Sequence, residues 1–291
     1  MSLLSPEFLS YLERLDLLIK RSIKGASVGE RLSSKYGRGI EFEDYRSYEI
    51  GDDFRYIDWN IYARLDKLFV KLFREEEMGS INIFLDISRS MDFGNPSKLY
   101  FGKQLAASLG YIGLVNYDSV NIYCISSTVE KKMESIRGRS NVIRLLRFLD
   151  EADSQGVTSL TGAIRESVKR LKSKAIFIVL SDFLDPAGYE DGLKLLKSRG
   201  YGVFAFHILS EDEISPDISG DVKLIDSETG EVIELDALEE VLDGYKKTLE
   251  KFLAEVESFC LTHSIEYIRA SSSIPVDRII LYYMRLGGWL R

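Results

Sequence analysis

From about residue 80 onward, short apolar segments alternate with longer segments whose apolar residues recur at helical spacing. The segments INIFLDI, SVNIYCIS, AIFIVLSDF, GVFAFHIL and IEYIRA are typical of buried strands, and TVEKKMES is typical of a short edge strand. Strands that alternate with helices are joined by right-handed crossovers, which build a mostly parallel sheet with helices on both faces. The sequence therefore predicts an α/β fold with a doubly wound sheet of the Rossmann type.

Two regions depart from this alternation. Residues 221–235 contain a turn signal between two short strand patterns, which predicts a hairpin. Residues 22–79 are rich in Gly, Arg, Asp and Tyr and have no long helical period, so we expect an irregular layer with a few short strands. Within this layer, residues 68–77 alternate like a strand that could lead into the sheet.

The amino-terminal segment MSLLSPEFLSYLERLDLLIKR has apolar residues at helical spacing and predicts a short amphipathic helix. No Pro-rich linker or internal repeat interrupts the chain. We therefore expect one compact body in which residues 1–79, the helix and the irregular layer, pack on a core formed by residues 80–291.

Composition argues against several classes of protein. The chain has 38 Lys and Arg against 46 Asp and Glu, a net charge of −8, which disfavours nucleic acid or an anionic membrane as the main partner. With two His and two Cys, a zinc or haem site is not expected. Cys124 and Cys260 predict buried thiols in a reducing compartment. The first segment has neither the basic start of a signal peptide nor the uninterrupted apolar run of a membrane span, so we expect a cytoplasmic protein.

Two of the predicted strands end in an aspartate. Asp86 ends the first and is followed at alternate positions by Ser88 and Ser90, while Asp182 ends AIFIVLS. Between them lies the polar loop GVTSLTGAI, which carries Thr158. Because the carboxyl ends of parallel strands share one edge of a sheet, where ligands bind at the point of reversal, we expect these side chains to converge.

Carboxylates and hydroxyls are hard oxygen ligands, which suit Mg²⁺, with Mn²⁺ or Ca²⁺ as alternatives. Two acids and three hydroxyls do not fill and neutralise such a site if one acid acts through water, so the ion would keep an electrophilic open position. A carboxylate from a partner protein could occupy that position. A simpler interpretation is that Asp86 only caps the next helix, and that Ser159 and Thr161 cap the helix beside them.

The combination of these residues resembles the von Willebrand factor A domain with its metal-ion-dependent adhesion site. The D-x-S-x-S motif of that family matches Asp86, Ser88 and Ser90, its later threonine matches Thr158, and its aspartate after the fourth strand matches Asp182. The resemblance covers roughly residues 80–210. It implies that the serines and the threonine bind the ion directly or through water and that Asp182 acts through water.

Residues 37–77 resemble the signature of the domain of unknown function 58 family; they read GRGIEFEDYRSYEIGDDFRYIDWNIYARLDKLFVKLFREEE. Members of that family carry a motif of the type E-F-x-x-x-R-x-Y-x-x-G-D-D-x-R-x-I-D-W before a von Willebrand A core. The resemblance extends over nearly the whole chain. It implies a role as adaptor or co-chaperone for a MoxR-type AAA+ ATPase.

The GDDFRYIDW segment has two possible roles. Arg46 and Arg55 could pair with Asp52, Asp53 or Asp58 to hold an irregular backbone, with Gly51 in a turn and Trp59 packed against the sheet. Alternatively, this acidic and aromatic surface docks the ATPase.

Two functions compete for the whole protein. The first is a non-enzymatic, Mg²⁺-dependent protein-interaction module. The second is a Mg²⁺-dependent phosphohydrolase or phosphotransferase with Asp86 as nucleophile. Against the enzyme, dehalogenase-type phosphohydrolases need a second acid where this chain has Ser88, and no lysine near Asp86 is obviously placed for phosphate, since Lys98 lies in the following helix.

Overall fold

The structure is a computed structural model that describes residues 3–25, 36–37, 41–74, 80–168, 175–198, 202–216, 223–225, 232–234 and 238–286. The chain divides into two compact units, one formed by residues 1–26 with 79–291 and the other by residues 27–78. The amino-terminal helix therefore belongs to the same unit as the large sheet.

The helices are α1 (Pro6–Gly25), α2 (Trp59–Leu65), α3 (Lys98–Val115), α4 (Val142–Asp150), α5 (Leu160–Val168), α6 (Glu190–Ser198), α7 (Glu211–Ile214), α8 (Leu238–Thr262) and α9 (Val276–Leu286). The strands are β1 (Tyr36–Gly37), β2 (Glu41–Ser47), β3 (Phe69–Arg74), β4 (Ser80–Asp86), β5 (Ser119–Ile125), β6 (Val129–Ile136), β7 (Ala175–Ser181), β8 (Gly202–Leu209), β9 (Lys223–Ile225), β10 (Val232–Glu234) and β11 (Glu266–Ser271).

The main sheet has six strands in the order β11-β8-β7-β4-β5-β6. All neighbouring strands are parallel except β6, which runs antiparallel to β5 at the edge, as the sequence predicts for TVEKKMES. The chain builds the sheet outward from β4 on one side and from β7 on the other. The reversal of strand order thus falls between β4, which ends at Asp86, and β7, which Asp182 follows directly, and this confirms the doubly wound α/β fold.

Helices cover both faces of this sheet because the residues of each strand alternate between two apolar clusters. In β4, Ile81, Ile83 and Leu85 lie in a cluster with apolar residues of α1, α3, α4 and α9. Phe84 points to the other face, where it stacks between Tyr123 and Phe177 in a cluster with α5, α6 and α8. A strand buried on both faces is mostly apolar, and the buried amide of Asn82 is satisfied by a hydrogen bond from Asn121 Nδ2 at 2.9 Å.

Helix α3 lies close against the sheet. A Cβ atom at Gly113 would lie 2.8 Å from both Ile81 Cδ1 and Val120 Cγ2. A separation this short is well inside van der Waals contact, so the glycine of the GYIGL segment allows helix and sheet to approach.

The amphipathic helix predicted at the amino terminus is α1. Its residues Phe8, Leu12 and Leu15 are buried in the same cluster as α3, so the helix packs on the body. Within the described residues, no helix is long and apolar enough to cross a membrane. The predicted hairpin is present as the antiparallel pair of β9 and β10, and its turn lies outside the described residues.

The second unit contains a small antiparallel sheet in the order β1-β3-β2. The strand predicted over residues 68–77 is present as β3, which pairs with β1 and β2 on its two sides, and residues 75–77 lie outside the described residues. The sequence also gave no sign of α2, whose seven residues are too few for a helical period to be recognised.

Ion pairs hold the backbone between β2 and α2. Arg46 bonds Asp52 at 2.7 Å and Arg55 bonds Asp53 at 2.6 Å, as the structural interpretation of this segment predicts. Asp58 instead caps α2, accepting from the backbone N–H groups of Asn60 and Ile61.

The other contacts of Asp58 are with side chains of β2 and β3. Its carboxylate accepts from Tyr45 and pairs with Lys71 at 2.9 Å. Gly51 has a φ of +111°, a conformation that favours glycine, as predicted. Trp59 was expected to bury its ring, but the side chain is 59% exposed, with its ring edge-on to Tyr62.

Candidate metal site

The carboxyl ends of β4 and β7 form the centre of the site. In the parallel register, Leu85 lies opposite Leu180, so the residues that follow them, Asp86 and Ser181, emerge at the same level of the sheet. The Ser181 hydroxyl donates to Asp86 Oδ2 at 2.6 Å. Asp182, the next residue, is therefore brought to the same edge.

Asp86 is fully buried and its carboxylate is held by three donors. Oδ1 accepts from the backbone N–H of Ser88 at 2.9 Å, and Oδ2 accepts from Ser181 and, at 3.5 Å, from Thr158 Oγ1. These bonds hold the carboxylate beside the loops that carry Ser88 and Thr158.

The two serines of the motif turn their hydroxyls toward each other. Ser88 Oγ and Ser90 Oγ are 3.0 Å apart and both residues are buried. Ser88 precedes the short 3-10 helix Arg89–Asp92 but makes no side-chain capping bond to it, and α3 is capped by Ser97. The hydroxyls of Ser88 and Ser90 therefore meet each other, and Ser88 does not cap the helix that follows it.

The loop before α5 is fastened to the ends of β4 and β5 by backbone hydrogen bonds. Gln155 N donates to Ile87 O at 2.7 Å and Ser159 N donates to Ser126 O at 2.8 Å. These two bonds bracket Thr158 and place its hydroxyl beside Asp86. Thr161 has a different role, because its hydroxyl donates to Gly188 O and accepts from Gly192 N, which ties α5 to α6.

Asp182 is fully buried and has an internal counter-ion. Its Oδ2 accepts from Lys98 Nζ at 2.8 Å, while its Oδ1 accepts from the backbone N–H of Leu184 at 3.1 Å. Lys98, itself fully buried, also donates to Glu213 Oε1 at 2.5 Å. The sequence gives no obvious sign of a lysine at the site, yet Lys98, the first residue of α3, reaches into it.

Burial and charge set the protonation of these groups. Burial, and then the nearby charge of Asp182, raise the pKa of Asp86 to about 7. For Lys98, burial alone would lower the pKa, but the charges of Asp182 and Glu213 outweigh it and raise the pKa above its ordinary value. The lysine is therefore an ammonium ion, and the Asp86 carboxyl holds its proton more tightly than an ordinary aspartate does.

The donor set suits a small hard cation. Neighbouring oxygens around an octahedral Mg²⁺, with ligands at about 2.0–2.1 Å, are separated by about 2.9 Å, and the two serine hydroxyls lie 3.0 Å apart. The described part of the chain contains no cluster of three or more His, Cys, Asp or Glu side chains suited to a metal. Binding would thus depend on hydroxyl ligands in addition to the acids, as the sequence motif implies.

The structure brings together all five side chains that the sequence singles out: Asp86, Ser88, Ser90, Thr158 and Asp182. Sequence reasoning missed three neighbours that complete the cluster, namely Ser181, Lys98 and Glu213. Ser181 had a weak signal, as a serine in an otherwise apolar strand directly before Asp182. Lys98 stands at the start of a helix with a wide apolar face, and nothing in its local pattern distinguishes it from an exposed lysine.

The fold and the site define a doubly wound α/β protein with a cluster of buried carboxylates and hydroxyls where the strand order reverses. The family model described as "Protein of unknown function DUF58" matches residues 44–251, more than half of the chain, and the chain belongs to that family. The family signature in residues 37–77 pointed to it correctly.

Two relatives and two solved structures that are similar to this chain share less than a quarter of its residues. An uncharacterized protein of Mycobacterium tuberculosis (strain H37Rv) and one of Mycobacterium bovis are each 24% identical over 257 residues, 86% of this chain and 80% of theirs. Among solved structures, the conserved hypothetical protein BatB from Bacteroides thetaiotaomicron is 16% identical with a TM-score of 0.47, over 72% of this chain and 98% of its own. An aerotolerance-related membrane protein from Bacteroides fragilis is 20% identical with a TM-score of 0.44, over 72% and 99% of the two chains.

Proposed function

We propose that the protein is a non-enzymatic, Mg²⁺-dependent protein-interaction module. Asp86, Ser88, Ser90 and Thr158 would hold the ion, and Asp182 would act on it through water. When bound, the ion supplies an electrophilic position for an acidic group of the partner. The observation that carries the proposal is that three loops distant in sequence meet at the buried carboxylate of Asp86, which accepts from Ser88 N, Ser181 Oγ and Thr158 Oγ1. Ser90 Oγ lies 3.0 Å from Ser88 Oγ beside it.

The charge of the cluster supports a divalent cation. The carboxylates of Asp86, Asp182 and Glu213 and the ammonium of Lys98 together have a formal charge of −2 when all are ionised. Buried charge of this size is costly unless it is compensated. A divalent ion compensates it fully, and the raised pKa of Asp86 indicates that a proton compensates part of it otherwise.

A protein partner is favoured by the exposed apolar side chains near these loops. Phe93, Val157 and Leu184 are each within three positions of Ser90, Thr158 or Asp182, and they are 43–47% exposed. Large apolar side chains next to a polar site are typical of a surface that another protein covers.

The family resemblance extends the proposal to a MoxR-type AAA+ ATPase, for which this protein would act as adaptor or co-chaperone. The segment of residues 44–68 offers further exposed apolar side chains, including Ile50, Phe54 and Trp59, for such a partner. We also propose a cytoplasmic location, with the buried free thiols of Cys124 and Cys260 in support.

The test is affinity capture from the native cell extract with the wild-type chain and with Asp86→Ala, each in Mg²⁺ and in EDTA. We expect a protein that the wild type captures in Mg²⁺. The same protein should be absent when the wild type is in EDTA and when Asp86→Ala is used in either buffer. The captured protein should then bind as a purified component with the same metal dependence. Equal capture in EDTA, or equal capture by folded Asp86→Ala, would rule out the metal-mediated mechanism.

The enzymatic alternative requires a separate assay. Lys98 is near enough to the site to matter for a phosphate, but its ammonium already contacts two carboxylates. We therefore expect no turnover of generic phosphomonoesters in Mg²⁺. Turnover that Asp86→Asn abolishes would favour the phosphohydrolase instead.

A further inference from the structure

The buried ion pair between Lys98 and Asp182 has no counterpart in the motif that defines the site. Lys98 and Asp182 side chains are 0% exposed, and the lysine spans from Asp182 to Glu213, whose side chain is 15% exposed. Burying an ammonium ion is costly unless it is paired and hydrogen-bonded, and here it has both partners. Its position therefore requires an explanation beyond the packing of α3.

Lys98 neutralises part of the charge of Asp182, a residue of the proposed metal site. Asp182 Oδ2 is engaged by Lys98 and Oδ1 by the backbone N–H of Leu184. A carboxylate whose oxygens both accept such bonds is a weaker ligand than a free one. The ammonium lies 2.8 Å from Asp182 Oδ2, so it would also repel a cation that Asp182 acts on through water, since the protein interior screens charge less than water does.

We propose that Lys98 is a positioning residue that keeps the metal site weak and electrophilic: it restrains Asp182, and its charge lowers the affinity for the divalent ion. This inference rests on the proposed function, because it concerns the same metal site. Because Lys98 offsets part of the negative charge around the site, this chain does not fully neutralise the bound ion. The ion can then attract an acidic group of a partner protein.

Glu213 moderates the effect of Lys98. The glutamate accepts from the lysine through Oε1, and its Oε2 accepts from the backbone N–H of Ser210 at 2.8 Å as part of the capping box of α7. It partly neutralises the ammonium, and so it should strengthen cation binding. Glutamine serves in a capping box as glutamate does, so Glu213→Gln removes the charge while the cap is retained.

The test is calorimetric titration of the full chain with MgCl₂ at pH 8, where Asp86 is largely ionised. We expect Lys98→Met to raise the Mg²⁺ affinity by about tenfold or more and Glu213→Gln to lower it by about threefold or more. The matched control is Lys103→Met, a partly buried lysine on the same helix that donates to Asp150 O, and it should leave the affinity unchanged. Unfolding in EDTA should show that Lys98→Met is less stable without metal and gains more from Mg²⁺ than the wild type.

The outcomes separate this inference from the proposed function. Absence of saturable Mg²⁺ binding by the wild type would overturn the metal site itself. If the wild type binds Mg²⁺ and folded Lys98→Met binds it with equal or lower affinity, the metal site stands but the proposed role of Lys98 is refuted. A lysine with only a structural role would not raise the affinity when it is removed. If Lys98→Met does not fold, Glu213→Gln decides, because unchanged affinity would refute the role and a fall would support it.

Discussion

Replacing Asp86 by asparagine should make the metal-free protein more stable at alkaline pH while removing its response to Mg²⁺. The pKa of Asp86 is raised from 3.8 to about 7 in the fold, so the protonated carboxyl favours folding below about pH 4. That contribution is lost as the pH rises through about 7, where the folded chain has to bury the carboxylate charge. Asparagine is neutral and nearly the same size, so it does not incur this cost.

The magnitude follows from the shift. A rise of about 3 pKa units corresponds to about 4 kcal/mol of cost for the ionised carboxylate at pH 8. Asparagine accepts from Ser88 N as aspartate does but presents an NH₂ group to Ser181, which loses about 1–2 kcal/mol of hydrogen bonding. The net gain is about 2 kcal/mol, or a rise of a few degrees in Tm for a chain of this size.

The assay is thermal unfolding followed by circular dichroism at pH 5, 6, 7 and 8, in EDTA and in excess Mg²⁺. We expect Asp86→Asn to exceed the wild type in Tm at pH 8 in EDTA, with the difference shrinking toward pH 5. Added Mg²⁺ should stabilise the wild type increasingly with pH and leave the variant unchanged. A variant less stable than the wild type at pH 8 in EDTA, or one stabilised equally by Mg²⁺, would refute the reasoning.

Three further predictions concern the rest of the molecule. The Lys71 ammonium, together with the N–H groups of α2 and the Tyr45 hydroxyl, lowers the pKa of Asp58 to about 2 against the opposing effect of burial. The ionised Asp58 carboxylate should therefore stabilise the fold above about pH 4, and this stabilisation should be lost between pH 4 and 2. Limited proteolysis across residues 44–74 should detect this loss, and uniform resistance down to pH 2 would contradict it. Gly113→Ala should destabilise the fold by about 1–3 kcal/mol because the added methyl group overlaps Ile81 and Val120, and an unchanged urea midpoint would count against this packing. Arg55→Ala should leave Tm nearly unchanged because its side chain is 66% exposed and pairs with neighbouring Asp53, whereas loss of folding would show a structural role that these contacts do not explain.

Much of the fold follows from the sequence because strands buried on both faces leave an unmistakable pattern. The five segments predicted as buried strands fall on β4, β5, β7, β8 and β11, and the edge strand and the hairpin strands were also recognised. The motif residues converged because strand ends at a reversal of strand order share one edge of the sheet. These inferences depend on local pattern and on general topology, both of which a single sequence contains.

The neighbours of the site could not be predicted because they depend on long-range contacts. Lys98 lies 84 positions from Asp182 and 115 from Glu213, and no local pattern links these residues. The pairing within the small sheet could not be predicted for a related reason. The alternation of residues 68–77 identifies a strand but does not specify its partners, which are β1 and β2. Pairing and charge compensation are properties of the folded chain rather than of any segment.

The central claim, that these oxygens bind a divalent cation, is tested most directly by titrating the chain with Mn²⁺ and following free ion by electron paramagnetic resonance. The account predicts one saturable site per chain, competed by Mg²⁺ and weakened at least about tenfold by Ser88→Ala. Ser167→Ala, which removes a buried hydroxyl bonded to Ala163 O within α5, should bind as the wild type does. No saturable site at millimolar Mn²⁺, or a site that Ser88→Ala leaves intact, would contradict the account.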